Sequence, residues 1–194
     1  MFTEQSLSPA PFGKITQTTH DEHKKLYAGY IKNANTILEK LTAYQKDETK
    51  IYEIGELYRR FAFEYNGMRN HEIYFALLDG TSTEAPALIG AIEKQWGTLD
   101  SFRSLFSTLA LTRGIGWAML SYDKKTGSLI MHWVDEQQLG QLQGTVPIIA
   151  LDMWEHSYVA DYQPSGKKQY VEDFFASMDW SAAEAFFLAV QSTH

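Results

Sequence analysis

The most informative absence in this sequence of 194 residues is cysteine, of which there is none. Without thiols the chain has no disulfides, no thiolate metal sites, no iron–sulfur clusters and no cysteine nucleophile. Any bound metal must therefore be held by histidine, aspartate or glutamate. The sequence also has no apolar run that approaches the ~18 residues of a transmembrane helix, and residues 1–14 do not have the pattern of a signal peptide. We therefore expect a cytoplasmic protein with no membrane partner.

Positive charge is also scarce. The chain has 17 lysines and arginines against 24 aspartates and glutamates, which gives a formal charge of −7. This balance disfavours a general affinity for phosphate backbones, so we expect no nucleic-acid partner. Aromatic residues, in contrast, make up 14% of the chain. Such a share suggests that large apolar rings wall off part of the interior.

The hydrophobic pattern predicts helices in the first half of the chain and a mixture of helices and strands in the second. After an extended arm over residues 1–16, apolar side chains recur at helical spacing to about residue 43, in a helix for which Thr18 or Thr19 is the expected N-cap. The same spacing recurs over about residues 51–78. The second half is predicted to contain helices over 87–96 and 100–112, strands over 117–122, 128–134 and 146–151, and helices over 171–177 and 182–191.

The predicted fold class is α+β. A long N-terminal helical hairpin precedes an α/β domain in which helices flank a three-stranded antiparallel sheet. We place the arm and the hairpin in a domain over residues 1–82 and the α/β part in a domain over residues 83–194, because serine, threonine and proline between the two end one helical unit and begin the next. Gly67 lies inside the second long helix, where it costs about 1 kcal/mol relative to alanine and so requires a reason in packing or function.

One stretch near the C-terminal end combines a buried strand with polar chemistry. The apolar run that begins at Pro147 ends at Asp152, and His156 follows four residues later. A buried carboxylate must be paired, hydrogen-bonded or bound to a metal, because an isolated one is expensive to desolvate. The pattern alone fits two readings, a structural hydrogen bond between the two side chains and half of a metal or acid/base site.

Histidines are the other candidate ligands. Two of the six are set aside, because His132 lies in a predicted hairpin strand and His194 is terminal. The remaining four are His20, His23, His71 and His156. His20 and His23 could be solvated residues of the first helix, and a single histidine such as His71 on an aromatic helical face is commonly a satisfied core residue. One histidine from each long helix, together with the Asp-x-x-x-His pair, would form a set of three imidazoles and one carboxylate with room for one solvent molecule.

Three segments carry a resemblance to a known family. Residues 151–158 read LDMWEHSY, residues 66–75 read NGMRNHEIYF and residues 114–118 read GIGWA. They resemble, respectively, the metal-binding signature, the second-ligand helix and the start of the first strand of the iron/manganese superoxide dismutases. The likeness extends over essentially the whole chain, in the order of the predicted elements.

This resemblance implies that the protein disproportionates superoxide into dioxygen and hydrogen peroxide by redox cycling of one manganese or iron ion per chain. Asp152, His156 and His71 would be metal ligands. Zinc and magnesium cannot change valence in this way, so the cofactor implied is manganese or iron.

The ligand in the first helix needs a choice. In the family a gateway tyrosine follows the ligand by eight residues, and Tyr30 lies in a segment that resembles the one with this tyrosine. Counting back eight residues reaches Glu22, whereas a one-residue deletion brings His23 into register. A step of seven residues still keeps both side chains on one helical face. We therefore expect His23 as the ligand, with His20 as the alternative.

The resemblance also implies a glutamine that bonds the metal's solvent ligand. Gln137 is the expected donor, with Gln138 as the alternative, and Tyr30 would hold the outer end of the proton path. Iron-type relatives often carry the glutamine at the position of Gly67, where glycine leaves space for a donor from the sheet domain. Manganese is therefore favoured, with iron or either metal open. The side chains expected around the metal are Trp117, Trp154, Tyr158 and Tyr27.

Glu155, directly before a ligand, resembles the family residue that crosses a two-fold interface to the partner's ligand histidine. This implies a homodimer and leaves a tetramer open. Two other classes of function stay in view. A relative that has lost turnover and serves as a structural or binding protein is disfavoured by the presence of all four ligand types. A non-redox metal hydrolase needs a general base and an open site, which the crowded aromatics do not clearly offer.

Overall fold

Two long antiparallel helices form the first half of the protein, here described over residues 1–192 from a computed structural model. Helix α1 spans Gln17–Tyr44 and helix α2 spans Ile51–Ala76. The side chain that caps α1 is that of Thr16, whose hydroxyl accepts a hydrogen bond from the backbone N–H of Thr19, so the expected cap at position 18 or 19 was wrong. No helix in the described part of the chain is both long and apolar enough to cross a membrane.

The second half forms one sheet with five α-helices around it within the described residues. In chain order these elements are α3 (Pro86–Trp96), α4 (Leu99–Ala110), β1 (Gly116–Asp123), β2 (Ser128–Asp135), β3 (Thr145–Asp152), α5 (Val159–Tyr162), α6 (Lys167–Ser177) and α7 (Trp180–Gln191). The strand order is β2-β1-β3, and both pairings are antiparallel. The predicted helical hairpin followed by an α/β domain with a three-stranded antiparallel sheet is thus confirmed.

Strand register positions the end of β3. Trp117, near the start of β1, pairs with Asp152, the last residue of β3, and the next N–H, of Met153, donates to the carbonyl of Gly116. Gly116 has a φ of +147°, and a Cβ at this position would collide with the carbonyl oxygen of Val134. Glycine is therefore required where β1 starts, and it lets the strand bring Trp117 beside Asp152.

The hydrophobic core lies between the sheet and the surrounding helices, and α2 packs against β3. His71 is the one histidine of α2, and this packing brings it to the end of β3. The N-terminal arm contacts both halves of the chain. The N–H of Gln5 donates to the Tyr27 hydroxyl of α1 at 2.9 Å, and the N–H of Lys14 donates to the Tyr162 hydroxyl of α5 at 2.8 Å. The arm therefore ties α1 to α5.

Candidate metal centre

Four side chains from separate elements converge at the end of β3. They are His23 of α1, His71 of α2, Asp152 and His156, and one possible ligand atom from each lies within 4.8 Å of the others. The Asp152 Oδ2 atom is 3.1 Å from Nε2 of both His23 and His156 and 3.5 Å from Nε2 of His71. The side chains of His71 and Asp152 are fully buried, while that of His156 is 25% exposed. The group has one partly open side.

Hydrogen bonds orient two of these side chains toward the centre of the group. The Nδ1 atom of His71 is 2.6 Å from the carbonyl oxygen of Gly67, and because a carbonyl only accepts, Nδ1 carries the hydrogen and Nε2 keeps a lone pair. That Nε2 atom is buried and has no hydrogen-bond partner among residues 1–192. The Oδ1 atom of Asp152 accepts from the N–H of Trp154 at 2.8 Å, which leaves Oδ2 facing the imidazoles.

The electrostatics of the group favour a neutral His23, a neutral His71 and an ionised Asp152. Burial lowers the pKa of His71 to about 3, with a further lowering from the neighbouring His23, whose own pKa burial also lowers. For Asp152 burial alone would raise the pKa, but the adjacent His156 and His23 outweigh it and hold the pKa well below its usual range. Metal ions bind deprotonated ligands, so these protonation states suit a metal.

Three uncharged residues form a hydrogen-bonded chain beside the group. Gln137, which follows β2, is fully buried; its Oε1 accepts from Trp117 Nε1 at 2.9 Å and its Nε2 donates to the Tyr30 hydroxyl at 2.9 Å. Since an indole N–H can only donate, it fixes which end of the Gln137 amide faces Trp117. The structure thus places Gln137 at Tyr30, whereas the side-chain oxygen of Gln138 is buried without a partner in the described chain.

Further aromatic side chains pack on the histidines. The Trp154 ring is stacked on His156 with centroids 5.9 Å apart, and its indole N–H donates to the carbonyl of Glu136 at 3.1 Å. The Tyr27 ring is nearly parallel to that of His71 at 6.4 Å. Trp154 and Tyr27 thus each contact a histidine of the group.

Tyr158, also expected around the metal, contacts another tyrosine. Its ring is stacked on that of Tyr170 with centroids 5.1 Å apart. Tyr170 in turn donates a hydrogen bond to the main-chain carbonyl of Asp152 at 2.9 Å. Tyr158 therefore supports the site through Tyr170.

Two residues considered from the sequence lie apart from the group. His20 is buried beside the Phe75 ring, at 5.9 Å between centroids, and does not join the four side chains. Glu155 is exposed, and its carboxylate has no hydrogen bond or ion pair within the part of the chain that the structure describes. The terminal His194 lies outside the described residues.

Sequence reasoning missed two residues whose side chains bond the backbone of site residues. Asn70 donates from its side chain to the main-chain carbonyl of Gln137 at 3.2 Å, and the Tyr170 hydroxyl bonds that of Asp152. Asn70 could have been found as a polar residue directly before His71 on a buried helix face. Tyr170 lies 18 residues beyond Asp152 and belongs to a separate helix, so no local spacing indicates this contact.

Comparison with known proteins gives matches over nearly the whole chain. Residues 2–79 match the family model described as iron/manganese superoxide dismutases, alpha-hairpin domain, and residues 84–186 match the model for the C-terminal domain. The chain is 31% identical over 195 residues to a superoxide dismutase [Mn/Fe] of Aeropyrum pernix, with 94% of this chain and 90% of that protein covered.

Two bacterial proteins are similar to the same extent. The chain is 33% identical over 181 residues to a superoxide dismutase [Mn] of Nocardia asteroides, with 91% of this chain and 84% of that protein covered. It is 31% identical over 191 residues to a superoxide dismutase [Mn] of Mycobacterium leprae, with 96% and 89% covered. These relatives thus include proteins named for manganese and one named for manganese or iron.

Proposed function

The chain belongs to the iron/manganese superoxide dismutase family, and we propose that His23, His71, Asp152 and His156 bind the manganese or iron ion with which it disproportionates superoxide. The protein is a superoxide dismutase, an oxidoreductase. The observation that carries the assignment of ligands is the buried Nε2 lone pair of His71, which has no hydrogen-bond partner in the described chain and faces two further imidazoles and one carboxylate oxygen. Nitrogen and oxygen donors of this kind suit manganese and iron.

When bound, the ion supplies the one-electron exchange by which one superoxide is oxidised to dioxygen and a second is reduced to the peroxide level. The second half of the reaction consumes two protons for each hydrogen peroxide formed, so the chain must deliver protons to a buried site. Tyr30 is half-buried, and its hydroxyl accepts a hydrogen bond from Gln137. Its own hydrogen is therefore free to be donated, which supports a role for Tyr30 at the outer end of the proton path.

Hydrogen bonds hold the Gln137 amide in the orientation that a donor to the metal's solvent ligand needs. Trp117 holds Oε1, and Tyr30 takes one hydrogen of Nε2. The second Nε2 hydrogen has no acceptor in the described chain and is available to solvent in the site. We propose that this donor tunes the metal potential, since hydrogen bonds from outside the ligand set adjust the metal.

We further propose manganese as the physiological metal. The support is that Gly67 has no side chain, so that the Tyr30 ring packs directly against it, together with the glutamine that reaches Tyr30 from the sheet side. Reconstitution of the metal-free protein with each metal separately would test the preference through the specific activity per bound ion. Higher activity per iron than per manganese would contradict it.

For the assembly we propose a homodimer in which Glu155 reaches the partner subunit. The support is that this carboxylate, adjacent to His156, is exposed and has no partner of its own within residues 1–192. A tetramer built from such dimers and a cytoplasmic location stay predictions, which sedimentation and cell fractionation would test.

The experiment that tests the proposed ligands measures metal content and activity on one sample. We expect about one manganese or iron per chain, consumption of superoxide by the loaded protein, and loss of the metal in His71→Ala and Asp152→Ala. Full metal content in both variants would overturn the ligand assignment. A loaded protein that is inert to superoxide would favour the structural or binding alternative.

A further inference from the structure

We propose that Tyr74 and Tyr170 form a buried chain of two hydroxyls that positions Asp152 for metal binding. The Tyr74 and Tyr170 hydroxyl oxygens are 3.1 Å apart, and the Tyr170 hydroxyl is 2.9 Å from the main-chain oxygen of Asp152. Tyr74 lies in α2, three residues after His71, and Tyr170 lies in α6. The chain thus links the hairpin and the C-terminal half through the proposed carboxylate ligand, and this inference rests on the proposed function.

The positions of the hydroxyl hydrogens follow from counting donors and acceptors. The Asp152 carbonyl can only accept, so the single hydrogen of Tyr170 is best placed on that bond. Tyr170 then has no hydrogen left for Tyr74, and Tyr74 must be the donor in the bond between the two hydroxyls. The reverse arrangement would leave the hydrogen of Tyr74 without an acceptor in a site where only 2% of the residue is exposed. The chain therefore runs from Tyr74 to Tyr170 to Asp152.

Ser157 does not replace Tyr170 in this arrangement. Its hydroxyl oxygen is 3.0 Å from the Asp152 carbonyl but only 2.6 Å from the carbonyl of Trp154, and it has one hydrogen to give. The shorter distance assigns that hydrogen to Trp154. Tyr170 is then the principal side-chain donor to the Asp152 main chain.

The consequence for the site lies in how Asp152 is held. Its backbone oxygen is bonded to Tyr170, and its Oδ1 is bonded to the N–H of Trp154, so that only Oδ2 remains for a metal. Loss of the Tyr170 hydroxyl would remove one of the two hydrogen bonds that hold Asp152 in place. It would also leave the buried Tyr74 donor without an acceptor beside His23, whose ring centroid is 5.1 Å from that of Tyr74.

The two tyrosines are therefore expected to act non-additively. Tyr170→Phe removes both the bond to Asp152 and the acceptor of Tyr74, whereas Tyr74→Phe removes only a donor to Tyr170. In the double variant Tyr74→Phe/Tyr170→Phe no donor is left unpaired, so this protein should bind metal better than Tyr170→Phe alone. Recovery of metal affinity when Tyr74→Phe is added to Tyr170→Phe is expected only if Tyr74 donates its hydrogen to Tyr170.

The experiment measures the Mn²⁺ dissociation constant of each full-length protein by competition with a chelator, with the urea midpoint of the metal-free form measured in parallel. We expect Tyr170→Phe to weaken Mn²⁺ binding about 10-fold, the size of effect typical of a lost bond behind a metal ligand. Tyr74→Phe should weaken it about threefold, because Tyr170 loses the donor that polarises its own bond. The double variant should lie between the two.

Tyr122→Phe is the matched control. Tyr122 is a buried tyrosine of β1 that packs on Phe187, and its hydroxyl has no hydrogen bond in the described chain, so this variant should bind Mn²⁺ as the native protein does. Native affinity in Tyr170→Phe, even with a lowered urea midpoint, would reduce the pair to a structural role and overturn the proposal.

Should Tyr170→Phe fail to fold, equal affinities in Tyr74→Phe and Tyr122→Phe would overturn the proposal as well. A native protein that binds neither manganese nor iron would instead contradict the proposed function, and the positioning role would fall with it.

Discussion

The ring of Tyr30 lies directly against the backbone of Gly67, so that a Cβ added to Gly67 would be 2.5 Å from Cδ1 and 2.7 Å from Cε1 of that ring. The contact joins α1 to α2 one turn before His71. It also sets where the Tyr30 hydroxyl meets Gln137. A glycine inside a helix is costly, and the close contact with Tyr30 explains why one is present at this position.

Gly67→Ala should therefore destabilise the protein and lower turnover. Alanine gains up to about 1 kcal/mol in helix propensity, but forcing a methyl group into a closely packed contact costs about 1–3 kcal/mol. The ring of Tyr30 must move away from Gln137 to make room. We expect a lower free energy of unfolding in urea and a turnover reduced more than metal content.

Gly55→Ala is the matched control for this substitution. Gly55 lies in the same helix, and a Cβ there would meet no atom within 4 Å. This variant should gain about 0.5–1 kcal/mol of stability and keep native turnover. If Gly67→Ala were as stable and active as Gly55→Ala, the contact with Tyr30 would have no functional weight.

His23→Gln and His20→Gln should separate clearly in metal binding. Both histidines are buried in α1, but only His23 joins the group around Asp152 Oδ2. Losing one of the four proposed ligands should reduce metal occupancy to a small fraction of one ion per chain, whereas His20→Gln should keep full occupancy. Metal content after dialysis, measured by atomic emission, would check both. Loss of metal in His20→Gln alone would show that the assignment in α1 is wrong.

The stability of the metal-free protein should fall as the pH is lowered. The folded-state pKa of His71 is about 3, because burial disfavours its charged form, while the unfolded chain titrates near 6.5. Between these values the unfolded state binds a proton that the folded state does not. The contribution of the neutral His71 side chain to the free energy of unfolding is therefore fully present above about pH 6.5. On acidification this contribution decreases by up to about 1.4 kcal/mol per pH unit.

Urea denaturation of the metal-free protein from pH 7 to pH 4 would measure this slope. His71→Gln cannot take up the proton, so its stability should depend less steeply on pH over the same range. His23 and His20, whose pKa values burial also lowers, leave a residual slope in the same direction. An unchanged slope in His71→Gln would mean that this histidine does not stay neutral in the folded protein.

The sequence predicted the architecture well because hydrophobic periodicity reports on burial, and burial determines which face of each helix or strand is covered. The prediction failed where contacts between distant parts of the chain determine the local structure. The cap of α1 is Thr16, and the N–H of Thr16 is itself bonded to Asp161 at 2.8 Å, a residue from the other half of the chain. Three threonines near the start of the helix offer similar local chemistry, so no local pattern could select among them.

The residues of the candidate site likewise fall into those that the sequence indicated and those that it did not. The spacing of Asp152 and His156 indicated polar chemistry at the end of a strand, and the choice of His23 over His20 depended on resemblance to a family. Tyr170 and Asn70 were missed, since both act through backbone carbonyls. Any residue type has such a carbonyl, so the sequence does not show which carbonyl either side chain will bond.

Glu155→Ala should weaken association between two copies of the chain. An exposed carboxylate next to a proposed metal ligand, with no partner in residues 1–192, is suited to bond a group on a partner subunit. A charged hydrogen bond that becomes buried at an interface contributes about 1.5–3 kcal/mol, which corresponds to a dissociation constant raised by roughly 10- to 100-fold. Sedimentation equilibrium over a range of protein concentrations would measure it.

Glu93→Ala is the control, because it removes the same charge from an exposed position in α3. The control keeps the native dissociation constant if the effect is specific to Glu155, since a general change in net charge would move both variants equally. If Glu155 also bonds the partner's ligand histidine, the loss of metal in Glu155→Ala should follow dilution, because dimers would hold the metal more tightly than monomers. A native protein that sediments as a monomer at all concentrations would contradict the proposed dimer.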